Sequence, residues 1–210
     1  MLFRSSVGAV VENASTAVAY RTPVHIKVFD ASHNRASADA GGLLSQVIPV
    51  LMPGERIGVG AWAYLQSDAV TGAVTAVASV ELELGPSQWF APDGSAVFFA
   101  AITSTHKHTQ LTTTGGPAYG SIAFTAESPY CQPISDRGVA TIFRNSNGAI
   151  IGGNLAEVFP RGCEPGPADK SATVTAGIPG GFDDARTSHY LYCDPSPTRP
   201  LSTTSDQPSN

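Results

Sequence analysis

The sequence predicts an all-β chain of two antiparallel β-sandwich units in tandem, and three observations predict it. Apolar residues recur at every second position in several short segments, which is the spacing of half-buried strands. The 21 glycines and 16 prolines among 210 residues leave little room for long helices, because both interrupt regular structure. Short matches also recur down the chain at a nearly constant offset, as an internal duplication would produce.

The strands follow in order. Val24, Ile26 and Val28 alternate with His25 and Lys27, and Ile57, Val59, Ala61, Ala63 and Leu65 form a second alternating set. Val80, Leu82 and Leu84 alternate with Glu81 and Glu83, so the leucines should face the core and the glutamates water. Val97–Ile102 reads as a buried strand. Val174 and Ala176, then His189, Leu191 and Cys193, supply the alternation further on. Asn145-Ser146-Asn147-Gly148 is a tight-turn sequence, since Asn and Gly tolerate positive φ. Ala38-Asp39-Ala40-Gly41-Gly42 is the one candidate helix start, and its glycine pair and Pro49 would keep it short.

The duplication aligns Val28–Asn34 with Ile142–Gly148 at an offset of 114 (142 − 28), an apolar-aromatic pair followed by a polar turn. The same offset pairs Val10–Ala14 with Phe124–Ser128. Further on, Val47-Ile48-Pro49 matches Val158-Phe159-Pro160, and Pro53-Gly54 matches Pro165-Gly166. These matches divide the chain into unit one at 1–85, a linker with the possible first strand of unit two at 86–116, unit two at 117–194 and a polar, disordered tail at 195–210. If Val97–Ile102 opens unit two, its counterpart in unit one would fall before Met1. Unit one is therefore expected to lack its first strand.

Composition narrows the function. Net charge is −5 at pH 7, and the three lysines, Lys27, Lys107 and Lys170, lie far apart. Nucleic-acid binding needs clustered cations to displace counterions from phosphates, so it is disfavoured. No stretch approaches the ~20 apolar residues of a transmembrane helix. Met1-Leu2-Phe3-Arg4-Ser5 lacks the features of a secretory signal, yet the Thr/Pro/Ser-rich, lysine-poor composition suits an exported protein.

Val24-His25-Ile26-Lys27-Val28-Phe29-Asp30, a polar turn, and then Pro53-Gly54-Glu55-Arg56 before another alternating strand resemble the FxLYD-type bacterial immunoglobulin-like domains. Unit two departs from that pattern, with Arg144 in place of the Asp and Pro165-Gly166-Pro167 in place of Pro-Gly-Glu. The resemblance implies two immunoglobulin-like units acting as adhesion or spacer modules, with no catalytic residues and no cofactor.

Residues with chemical potential are few. Cys131, Cys163 and Cys193 all fall in unit two, and tracing its strands gathers them near one end of the sandwich. One disulfide with one thiol left over is expected, with Cys131–Cys163 favoured and the other pairings open. A zinc site is disfavoured because there is no C-x₂-C pair. His106 and His108 would share one face of an extended segment, but no further metal ligand is near in sequence, and a polar linker or strand edge explains them. Asp183-Asp184 suits a solvated loop better than a calcium site. Asn13-Ala14-Ser15 matches a glycosylation sequon, though a strand-end turn accounts for it. There is no nucleophile elbow and no phosphate loop, so no catalytic residue is assigned.

Aromatic residues are the candidate binding surface. If Ala61, Ala63 and Leu65 face the core, then Trp62 and Tyr64 face outward, beside Glu81 and Glu83 if those strands pair. Tyr190 and Tyr192 lie opposite Leu191 in the same way. The expected function is a non-enzymatic, extracytoplasmic binding, adhesion or spacer module whose partner is a protein or cell-surface ligand. The alternatives are a component of a larger cell-surface assembly and a hydrolase with a site assembled from separated residues.

Overall fold

The computed structural model describes residues 3–37, 44–67, 73–92, 98–112, 118–175 and 177–195. The candidate helix at 38–42 and the tail from 196 onward lie outside them. The described residues form an all-β protein whose one helical element is a single turn at Asp184–Arg186. The first half contributes β1 (Phe3–Glu12), β2 (Val18–Phe29), β3 (Ser45–Leu51), β4 (Arg56–Leu65), β5 (Ser79–Leu84) and β6 (Gln88–Phe90). The second contributes β7 (Thr103–Thr112), β8 (Tyr119–Ser128), β9 (Ser135–Arg144), β10 (Ile150–Ala156), β11 (Val158–Phe159), β12 (Gly166–Val174) and β13 (Ser188–Asp194).

All pairings between these strands are antiparallel. β1 pairs with β4, while β2 lies between β3 and β5 and also pairs with the short β6. The second half follows the same order: β8 pairs with β12, and β9 lies between β10 and β13. Two strands are added there, β7 on the free side of β8 and β11 on β12.

Two turns correspond closely between the halves. Asp30 Oδ1 accepts from the amides of Ser32 and Asn34, and Asn145 Oδ1 accepts from those of Asn147 and Ala149. In each, the residue three positions on has positive φ, 60° at His33 and 82° at Gly148. Asp30 and Asn145 are 115 apart. The same spacing carries the buried Val24, Ile26 and Val28 onto Val139, Thr141 and Phe143. These structural matches lie 115 apart, where the matches in sequence lie 114 apart. A slip of one residue moves each match to the other face of its strand, equating Ile26 with Ala140 and Val28 with Ile142, which are buried too because β9 is covered on both faces. The Val47–Pro49 match to Val158–Pro160 also fails, since β3 pairs with β2 whereas β11 pairs with β12.

Three strand expectations are corrected. Residues 98–102 are not a strand; the strand begins at Thr103, with Phe98 63% exposed and Phe99 buried. Val80 and Leu84 are 37% and 50% exposed instead of buried, because β5 is an edge strand. β4 and β5 do not pair, so Trp62 and Tyr64 do not lie beside Glu81 and Glu83.

The two halves share their largest core. Val24, Ile26, Val28 and Ile48 pack with Val7, Ile57, Val59 and Ala61, and Ala140 and Tyr192 of the second half join them. The ribbon of β1 and β4 has apolar side chains on that face and glycines on the other. A Cβ on Gly60 would stand 2.4 Å from the Asn154 amide nitrogen, and one on Gly8 would stand 2.5 Å from the Gly152 carbonyl oxygen. Backbone thus meets backbone at this contact, which only glycine allows. Ser6 seals it, its hydroxyl donating to the Gly153 carbonyl at 2.8 Å and accepting from the Gly153 amide at 2.9 Å. A second core lies beneath β9, where Phe124, Val139, Val158, Ala172 and Leu191 cluster. Strands β4 and β9 are covered on both faces, which explains their runs of small and apolar residues.

Candidate functional site

A cleft of about 420 Å³ opens between the halves, with Val50 and Ile57 on one wall and Ile102, His106, His189 and Leu191 on the other. That size lies within the usual range of small-ligand sites, about 300–1,000 Å³. Ser104, Tyr190 and Glu55 also line it. Burial raises the Glu55 carboxyl above the usual carboxylate range, although the Met52 amide donates to it at 2.7 Å and opposes the shift.

The polar wall is built by a bulge in β7. The register against β8 breaks between His106 and His108. Ser104, His106 and Thr109 turn inward, while Lys107 and His108 stay exposed. The expectation that His106 and His108 share a face is therefore overturned, because the extra residue resets the alternation. The partners of His106 are distant in sequence. Its Nδ1 lies 2.7 Å from His189 Nε2, and its Nε2 lies 3.0 Å from Asp184 Oδ1. His189 Nδ1 is 3.1 Å from Thr141 Oγ1, and its ring stacks on Phe124 with centroids 5.2 Å apart. The Ser104 hydroxyl donates to the His189 carbonyl.

Electrostatics sort these groups. His189 is 5% exposed, and burial first, then the nearby His106, lower its pKa from 6.5 to about 3, with Asp184 opposing. It is neutral at all ordinary pH. Partial desolvation of Asp184 works against ionisation, but hydrogen bonding from Thr109 and the charge and proton of His106 outweigh it, so its carboxyl stays below the usual range. Asp184 thus accepts from His106, and the chain runs Asp184–His106–His189–Thr141. Both nitrogens of both imidazoles are engaged. The hydroxyl that meets an imidazole nitrogen is that of Thr141, which is 1% exposed, and the Ser104 hydroxyl donates to the His189 carbonyl.

The depressed His189 pKa has a consequence for stability. An unfolded chain binds a proton at this residue near pH 6.5, whereas the folded protein resists until about pH 3. The stabilisation is complete above about pH 6.5 and is lost progressively as pH falls toward 3. Between pH 7 and pH 5 this group alone should remove about 2 kcal/mol. Urea unfolding of the wild type and of His189→Asn at both pH values checks it. An equal drop in the variant would show that the loss arises elsewhere.

The aromatic candidates divide. Trp62 and Tyr64 are half-buried and form an edge-to-face pair with centroids 4.8 Å apart, on the face of β4 that also carries Gly58 and Gly60. Tyr190 lines the cleft, and its ring occupies the space a Cβ on Gly58 would need. Tyr192 is 1% exposed, its hydroxyl donating to the Gly58 carbonyl at 2.7 Å and lying 3.0 Å from Gln46 Oε1. It is a core residue, not an outward one, because the face of β13 opposite Leu191 packs against the first half.

The cysteines also differ from expectation. Cys163 bonds to Cys193, with Cα atoms 6.1 Å apart, while Cys131 is exposed and free. The favoured Cys131–Cys163 pairing is therefore corrected. Cys163 is held beside the start of β9 by a two-way backbone bridge with Ile134, next to the end of β13, where Cys193 lies. Closing a loop of this length, with the cysteines 30 apart, stabilises by about 3–4 kcal/mol. Asn13 is 5% exposed and donates through Nδ2 to the Ala17 and Leu51 carbonyls, so the sequon nitrogen is committed to the fold.

The sequence offered no signal that would join His106, Asp184 and His189, which lie 78 and 83 residues apart along the chain. No family model matches the chain, and no curated protein or solved structure is detectably similar to it.

Proposed function

We propose that this chain is a non-enzymatic, extracytoplasmic binding module of two immunoglobulin-like units in tandem. The observation that carries the reading is that the imidazole–carboxylate chain of the cleft, as far as the described residues show it, ends on a buried hydroxyl. A hydrolytic site needs a base bonded to a nucleophile that substrate can reach, whereas the hydroxyl bonded to these rings, that of Thr141, is 1% exposed. What remains is a concave surface between the halves and the Trp62–Tyr64 pair, rigid amphipathic aromatics of the kind enriched at binding surfaces. The Cys163–Cys193 disulfide suits an oxidising compartment, and no described helix is long and apolar enough to cross a membrane. The recurring strand order and the matching Asx turns support the tandem arrangement.

Two assays test this. Panels of ester, glycoside and peptide substrates should show no turnover; turnover abolished by His106→Ala would overturn the non-enzymatic reading in favour of a hydrolase. In pull-downs from cell-envelope extracts, the Trp62→Ala/Tyr64→Ala variant should lose partners that the wild type retains. Identical recovery by both would remove the aromatic pair from the binding surface.

A further inference from the structure

Glu55 is the one acid among the residues that line the cleft. It follows Pro53-Gly54 in the turn from β3 to β4, and that turn fixes its position. Its amide donates to the Met52 carbonyl at 3.0 Å, and its carbonyl accepts from the Asn13 amide at 3.0 Å. The side chain folds back on the same turn, where Oε2 accepts from the Met52 amide at 2.7 Å. Among the described residues that amide is the carboxylate's one hydrogen-bond partner, and no Lys, Arg or His forms an ion pair with it.

The basic side chains of the lining are engaged elsewhere. Arg56 is 70% exposed, and its Nε donates to Glu12 at 2.7 Å. His106 is bonded to Asp184 and His189. The rest of the lining is largely apolar or accepting. Val50, Ile57, Ile102 and Leu191 form apolar walls, Tyr190 adds an aromatic ring, and Ser104, whose proton goes to the His189 carbonyl, keeps its oxygen lone pairs. A carboxylate drawn partly out of water without an opposite charge is costly, which is why burial raises the Glu55 carboxyl. An anionic ligand would add to that cost, and a neutral one would leave it in place. A cation with an apolar body removes it and covers the walls as well.

We propose that the cleft binds a small organic ammonium ion, its nitrogen on the Glu55 carboxylate and its apolar body against Val50, Ile57, Ile102 and Leu191. The proposal rests on the reading of the chain as a binding module and names the chemistry of its ligand. Glu55 and Ile57 belong to the first half, whereas Ile102 and Leu191 pack in the core of the second, so the occupant also joins the halves.

The probe is cyclohexylammonium chloride, titrated into the full chain and followed by methyl NMR. Saturable one-to-one binding of about millimolar strength is expected for so small a ligand, with shifts centred on the methyls of the four wall residues. Cyclohexanol has nearly the same shape without the charge and should bind about tenfold or more weakly, as should cyclohexylammonium to Glu55→Gln. Glutamine keeps an acceptor for the Met52 amide, so that variant should hold its thermal midpoint, which circular dichroism verifies. Glu83→Gln, at an exposed acid of β5 outside the cleft, should bind as the wild type does. Nα-acetyl-lysine methylamide distinguishes the sources of the ammonium. Tighter binding than cyclohexylammonium identifies a lysine side chain of a protein partner, and weaker binding identifies a free amine.

Absence of saturation, shifts confined to other methyls, or equal affinity for the alcohol would each overturn the proposal, and all three are read on the wild type. Equal affinity for folded Glu55→Gln would overturn it too. The binding-module reading survives any of these results if Trp62→Ala/Tyr64→Ala loses partners. Substrate turnover abolished by His106→Ala would overturn that reading instead.

Discussion

Asp194→Ala is expected to destabilise the fold by about 3–5 kcal/mol, the usual loss when one partner of a buried ion pair is removed. Asp194 is 3% exposed at the end of β13. Its Oδ2 accepts from Arg137 Nε at 3.1 Å and Nη2 at 2.7 Å, a side-on geometry that fixes the guanidinium against the carboxylate. Its Oδ1 accepts from the Tyr20 hydroxyl at 3.1 Å, and the Arg21 guanidinium approaches to 3.5 Å. The alanine variant takes this carboxylate away from the Arg137 guanidinium, whose side chain is only 8% exposed. Asp194 also joins the halves, since Tyr20 and Arg21 belong to β2 and Arg137 to β9. Chemical denaturation should therefore show a lower midpoint. If the Asp194→Asn variant, which keeps the shape and one acceptor, unfolds at the wild-type midpoint, the charge is not what stabilises this junction.

Gly60→Val is expected to cost more than about 4 kcal/mol, beyond the range of ordinary point substitutions. The atom a valine would add first lies 2.4 Å from the Asn154 amide nitrogen and 2.8 Å from its carbonyl oxygen. Those are backbone atoms of a paired strand, so no side-chain rotation relieves the clash. The ribbon of β1 and β4 must move away from β10, and the contacts of Gly8 with Gly152 and Gly153 go with it. A soluble, cooperatively folded variant with a midpoint within a few degrees of wild type would contradict this packing. Gly54→Ala makes a useful contrast, because nothing lies within 4 Å of its Cβ position and its φ of +72° is the sole source of strain.

The strand content was legible because period-2 alternation is local. Val24, Ile26 and Val28, and Ile57, Val59, Ala61 and Ala63, are buried as their spacing predicts. His189, Leu191 and Cys193 share a face for the same reason. The likeness between the halves was legible one residue out of step, because Phe29 and Phe143 are the natural match by residue type, whereas the turn bonding aligns Phe29 with Arg144. The candidate site was far less legible. The bulge between His106 and His108 is set by pairing with β8, and no local residue pattern encodes it.

Tyr192 and Leu84 mark the boundary between the two kinds of information. By itself the sequence determined which residues share a strand face, since side-chain direction depends only on backbone alternation. It could not determine whether a face is covered. Tyr192 lies opposite Leu191 as alternation requires, yet it is buried because the glycine-lined ribbon of the first half reaches it. Leu84 lies on the core side as alternation requires, yet it is half exposed because none of the described strands covers it. Burial depends on which distant segments come together. The tertiary structure alone decided that, both for the all-β fold and for the Cys163–Cys193 pairing.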